Sequence, residues 1–118
     1  MAKPELDFFD TEYLPWVQVE GQQPGQCEKI LSYDPETGDV MRLKRSLPGT
    51  ETTLTYTHDF WEEVYILEGE LIDKLNNNKI YGKGFYACRP PGMKHGPFKI
   101  PRGVVTLEIH YGKKPIKR

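Results

Sequence analysis

The feature that most constrains the fold is the rhythm of the turn signals. Clusters rich in glycine, proline and asparagine recur at 21–25, 34–38, 48–49, 76–78 and 90–92 and leave only short runs between them. No helical periodicity survives for more than two turns, whereas alternation of side-chain character recurs along the chain. Eight or so short strands separated by such turns imply an all-β chain, folded as a sandwich or a jelly-roll barrel.

The runs themselves carry direction. Residues 6–20 hold Phe8, Phe9, Tyr13, Leu14, Trp16 and Val17 without helical period, broken at Pro15, and read as an extended arm with strand character. Residues 27–33 carry apolar side chains on both parities, as a strand covered on both faces does. Asp34-Pro-Glu-Thr-Gly38 is a hairpin loop, since proline presets φ and the glycine tolerates φ > 0. The next strand, 40–47, sets Val40, Arg42, Lys44 and Ser46 on one face against Met41, Leu43, Arg45 and Leu47 on a more apolar one. Pro48-Gly49 ends it, and the threonine-rich 50–57 is a β-former by composition. Residues 62–68 alternate Glu62, Val64, Ile66 and Glu68 against Glu63, Tyr65 and Leu67, so a Glu62 that points inward brings Val64 and Ile66 with it. Gly69 is read as the turn into 70–75, and three successive asparagines, Asn76 to Asn78, suit the next hairpin. Ile80-Tyr81, 85–89 and 104–111 complete the strands.

Two stretches carry chemistry. In the first, His58 precedes Glu62 by four residues and Gly69 follows after six more. In the second, Gly84 is followed by five residues, Pro90-x-Gly92, two residues and His95. These spacings resemble the two motifs of the cupin superfamily, G-x5-H-x-H-x3/4-E-x6-G and G-x5-P-x-G-x2-H. The second is matched in full. The first is matched at Gly49, His58, Glu62 and Gly69, but Tyr56 stands where its first histidine belongs and one extra residue follows Gly49. The wording around these motifs is similar to the ChrR-type and acetylacetone-dioxygenase-like small cupins, over about residues 27–111.

That resemblance implies a cupin double-stranded β-helix, with residues 1–26 as an N-terminal arm, 27–111 as the barrel and 112–118 as a solvated basic tail. It also implies that His58, Glu62 and His95 converge as metal ligands. Two imidazoles and a carboxylate on one face of an ion leave positions open, as in non-haem Fe(II) oxygenases, so Fe(II) is favoured and Zn(II) or Mn(II) also fit. The related proteins include iron enzymes that cleave a C–C bond in a β-diketone with O2 at a three-histidine site. They also include zinc-binding cupin domains of anti-sigma factors, which sense and do not catalyse. A metal-dependent, dioxygenase-like enzyme of small carbonyl or carboxylate compounds is the first expectation, and a ligand-binding or sensory cupin with weak or no metal is the second.

Individual residues have bland readings beside the chemical ones. His58 can be a surface turn histidine and Glu62 a solvated strand-end charge. Tyr56, two residues before His58, should share its face. It can ligate as a phenolate, which needs a metal to bring down a pKa of about 10. It can instead donate a hydrogen bond beside the metal, the role taken here as catalytic, or simply fill the space of the missing histidine. Glu63 should point away, and the six-residue gap to Gly69 selects Glu62 over it. His110, near the end of the last strand, reads as structural or as a substrate contact. Phe60, Trp61, Tyr86, Met93 and Phe98 can rim an apolar pocket or serve as core and dimer contacts. The Gly-Lys-Gly84 sequence lacks the spacing of a phosphate loop.

Composition sets the outer limits. At 118 residues the chain has room for one core. A formal charge of −1 gives no long-range attraction to nucleic acid or anionic membrane. No run suits a signal peptide or a spanning helix, so a soluble cytoplasmic protein is expected, with a small molecule as partner and a homodimer as assembly. Cys27 and Cys88 are expected to be free, with Cys88 a half-buried core residue.

Overall fold

The computed structural model describes residues 2–113, so the tail at 114–118 lies outside the described residues. They form nine strands: β1 Val17–Gln18, β2 Gln26–Tyr33, β3 Val40–Ser46, β4 Thr50–Glu51, β5 Trp61–Asp73, β6 Lys79–Gly82, β7 Tyr86–Arg89, β8 Phe98–Ile100 and β9 Val104–Tyr111. Short 3-10 turns at Thr11–Tyr13 and Lys74–Asn76 are the only helical elements among the described residues. All pairings are antiparallel and the order is β1-β2-β3-β9-β5-β8-β4, with β6 and β7 added to β5.

β5 is the hub of this curled sheet. From Trp61 to Gly69 it pairs with β9, and Glu62 to Tyr65 also pair with β7. From Glu70 to Asp73 it pairs with β6 and β8. A register shift between Ile66 and Glu68, followed by Gly69 at φ 76°, bends the strand between the two sets of partners. Gly69 is therefore a bend inside one long strand and not the turn the sequence suggested. A Cβ there would lie 2.1 Å from the Gly103 carbonyl oxygen, so only glycine lets the two backbones meet.

Register decides what faces inward. Glu62, Val64 and Ile66 of β5 are buried, as are Val104, Thr106, Glu108 and His110 of β9. Arg42 lies opposite Glu108, Lys44 opposite Thr106 and Ser46 opposite Val104, so the polar face of β3 lines the interior. Its apolar face, with Met41 and Leu43 opposite Ile109 and Leu107, is turned outward. The dry core is confined to one end, where Ile66, Ile100 and Val104 pack with Leu71, Tyr81 and Phe98.

Several local expectations change. The threonine-rich 50–57 yields only β4 and an isolated bridge at Tyr56. The N-terminal arm has one short strand, β1, and its Trp16 ring lies on the outer face of its own sheet, under Lys29 Nζ at 4.8 Å and the Arg45 guanidinium at 4.5 Å. Cys88 is exposed, because β7 sets it opposite Glu63 on the outer face, and both cysteines are free thiols. The Asp34–Gly38 hairpin closes as expected, with Gly38 at φ 79° donating its N–H to the Asp34 carbonyl at 2.7 Å. Asn77 and Asn78 take φ 56° and 58° in the β5–β6 hairpin.

Candidate metal centre

The two motif segments are joined by their own backbones. Tyr56 and His95 exchange N–H···O bonds of 2.8 and 3.0 Å, and the Gly92 N–H donates to the His58 carbonyl at 2.8 Å. Gly92, at φ 84°, and the Met93 N–H to Pro90 carbonyl bond of 3.1 Å shape the turn that delivers His95. Glu62 arrives from the wall, opposite Arg89 on β7 and His110 on β9.

The three expected ligands come together. His58, Glu62 and His95 offer donor atoms that all lie within 4.8 Å of one another. The His58 and His95 ring centroids are 4.8 Å apart, and His95 Nε2 is 3.9 Å from Glu62 Oε1. Burial lowers the pKa of His58 against the pull of Glu62, and burial with the nearby Arg89 lowers that of His95. Both imidazoles are thereby biased toward the neutral form that a metal ligand requires. Donor types, spacing and protonation fit a divalent cation.

Tyr56 stands at the rim. Its ring is 6.3 Å from that of His95 and it lines the same cavity, but it sits in a single bridge and not on a regular strand. Phe60 stacks on His58 at 4.6 Å and is 4.9 Å from the His110 ring. Trp61 instead stacks on Tyr111, outside the cavity lining, while Met93 and Phe98 line it and Tyr86 borders it with its hydroxyl turned outward. Glu63 points away, as expected, and accepts a short bond from the Tyr86 hydroxyl.

The wall beside Glu62 is a chain of ionisable groups that the motifs do not reveal. Arg89 donates to Glu62 Oε1 at 2.6 Å, and His110 Nε2 lies 2.6 Å from Glu62 Oε2 and 3.6 Å from Glu108 Oε1. Neither His110 approach has the direction of a hydrogen bond, which leaves a buried nitrogen facing two carboxylates. Burial would push the His110 pKa down, but Glu108 and Glu62 outweigh it and push it up. Glu108 in turn accepts from Arg42 Nη2 at 2.8 Å, and Arg42 Nη1 reaches Glu28 at 3.0 Å. Glu62, Glu108 and His110 form a second group with donor atoms within 4.8 Å. Alternation along 104–110 could have placed Glu108 on the face of His110; the partner on β3 needed the register.

These groups open onto a cavity of about 380 Å³ whose far end is the apolar cluster around Ile66, Phe98 and Ile100. The arrangement can hold a cation at one end and an organic body at the other.

No curated protein matches the chain in sequence. Among solved structures it is similar to an RmlC-like cupin from Shewanella frigidimarina NCIMB 400, at 19% identity over 94% of each chain with a TM-score of 0.72. An acetylacetone dioxygenase from Acinetobacter johnsonii aligns at 15% identity over 95% of this chain and 76% of its own, with a TM-score of 0.71. The polyketide cyclase RemF from Streptomyces resistomycificus aligns at 20% identity over 95% and 83%, with a TM-score of 0.72. At these identities the likeness is one of fold. The model of the ChrR cupin-like domain matches residues 5–115, nearly the whole chain, and the protein belongs to that family of cupins.

Proposed function

We propose that the protein is a metal-dependent enzyme acting on a small carbonyl or carboxylate compound, with dioxygenase-like C–C cleavage as the reaction class. The observation that carries this reading is the convergence of His58, Glu62 and His95 on one end of a cavity whose other end is apolar. A divalent ion held by these three, with Fe(II) favoured and Zn(II) or Mn(II) as fits, would act as a Lewis acid with positions open for O2 or water. Phe60, stacked on His58, fixes the ring and keeps bulk water from one of its faces. Tyr56, at the rim, would donate a hydrogen bond to an oxygen of the substrate, the catalytic role proposed for it; its ring 6.3 Å from that of His95 supports this. The apolar end selects the organic body.

The test is elemental analysis of protein purified without added metal or chelator, repeated after anaerobic reconstitution with Fe(II). Near-stoichiometric metal is expected, and His95→Ala should lose metal and turnover together. Full metal occupancy in that variant would count against the site. Tyr56→His should leave metal affinity little changed if Tyr56 works beside the metal.

A second reading, a binding or sensory cupin with weak or no metal, is favoured by the engagement of both Glu62 oxygens by Arg89 and His110. On that reading Tyr56→His sharply raises metal affinity. The protein is proposed to work in the cytoplasm; the sequence supports this, and among the described residues no helix is long and apolar enough to cross a membrane.

A further inference from the structure

Arg89 is the residue of this cavity whose position the metal reading does not explain. Its Nη1 donates to Glu62 Oε1 at 2.6 Å, and that is the oxygen facing His95 Nε2 at 3.9 Å. The guanidinium therefore sits on the carboxylate oxygen that a cation shared by His95 and Glu62 would use. On its other side it lies 6.0 Å from the Phe98 ring, at the border of the apolar end. Arg89 thus stands between the candidate metal centre and the space for an organic body.

Charge balance shows what such a guanidinium could meet. The carboxylates of the cavity wall already have partners. Glu108 takes Arg42, Glu62 takes Arg89, and Asp73 accepts from the Leu75 amide and the Asn76 side chain. Lys44 and Lys94 line the same cavity without a hydrogen bond or ion-pair contact to any described residue, Lys44 acting on Glu108 and Glu62 only through space. A divalent cation bound through Glu62 adds positive charge to a wall where the Glu62 and Glu108 carboxylates already face arginines. It also competes directly with Arg89 for Oε1. The neutralising charge then has to arrive with the ligand, and a planar guanidinium freed from one carboxylate is suited to take another.

We infer that Arg89 is the carboxylate receptor of this cavity, held on Glu62 until a divalent cation takes its place there. The ligand class is a small monocarboxylate with a short apolar chain, its carboxylate on Arg89 and its chain toward Phe98. The inference rests on the metal reading above and narrows its substrates from carbonyl or carboxylate compounds to carboxylate anions.

The test uses the full chain and Arg89→Gln. Zn(II) affinity is measured by competition with a chromophoric chelator, and hexanoate is then titrated into the Zn(II)-loaded proteins, with hexanamide as the uncharged control. Removing the competing guanidinium should tighten Zn(II) binding by about tenfold, the scale of one charge-assisted hydrogen bond. The loaded variant should bind hexanoate at least about tenfold more weakly than the loaded wild type, with hexanamide unchanged. Arg89→Lys, a milder change at a buried pair, should move both quantities in the same directions by less. Zn(II) affinity that fails to rise in Arg89→Gln overturns the release from Glu62. Equal hexanoate affinity overturns the receptor role. Absence of Zn(II) binding in wild type and variant alike overturns the metal centre itself, and the release of Arg89 with it.

Discussion

Glu108 is buried on β9, and burial alone would raise the pKa of its carboxyl. His110, Lys44 and Arg42 outweigh that cost and hold it well below the usual carboxylate range. A carboxylate whose pKa is depressed by folding contributes stability that is present above its unfolded value, about 4.3, and lost as pH falls through the folded value. Glu108→Gln keeps the shape and removes the charge, leaving Arg42 with Glu28 alone. We expect a loss of about 3 kcal/mol near neutral pH. The gap between variant and wild type should narrow as pH falls below about 4. Urea unfolding across a pH series checks both; a gap independent of pH would mean that the packing of Glu108, and not its charge, stabilises the fold. At this scale the sequence was informative for His58, Glu62 and His95, because motif spacing names them one by one. It was silent about Arg89 and Arg42, because an arginine on a strand carries no sign of the carboxylate it will meet.

At the scale of elements, β5 decides whether the sheet can curl at all. Gly69 and Gly49 both have positive φ, 76° and 88°, but a Cβ at Gly49 meets nothing within 4 Å whereas one at Gly69 meets the Gly103 backbone. Gly49→Ala should cost about 1 kcal/mol, the strain of the left-handed conformation. Gly69→Ala should cost about 3 kcal/mol or more, since strain and a backbone clash add. Thermal unfolding of the pair separates the two effects, and equal losses would show that β5 and the Gly103 segment can move apart freely. The alternation of β3 was legible, yet which face turned inward was not. Either choice buries one row of side chains, and only the pairing of Arg42 with Glu108 and Lys44 with Thr106 resolves it.

For the whole molecule, the outward apolar face bears on assembly. Leu43, Leu107 and Ile109 are only partly covered, while Tyr65 and Tyr86 are 44% and 57% exposed nearby. Trp16 covers part of its own sheet at Lys29 and Arg45, and Phe8 is fully exposed, available to another copy. We expect a homodimer through this face, with a mass in solution twice 13.7 kDa. Tyr65→Glu should shift light-scattering masses toward the monomer, and a monomeric wild type at micromolar concentration would defeat the proposal.

The sequence by itself determined the class of fold and the three candidate ligands. Strand period and turn chemistry are local properties, and motif spacing is written along the chain. The bend at Gly69, the charged interior of β3 and the contacts of Glu62 with Arg89 and His110 were decided only by tertiary structure. Each depends on register between strands far apart in sequence, and a shift of one residue would have sent these side chains to the opposite face.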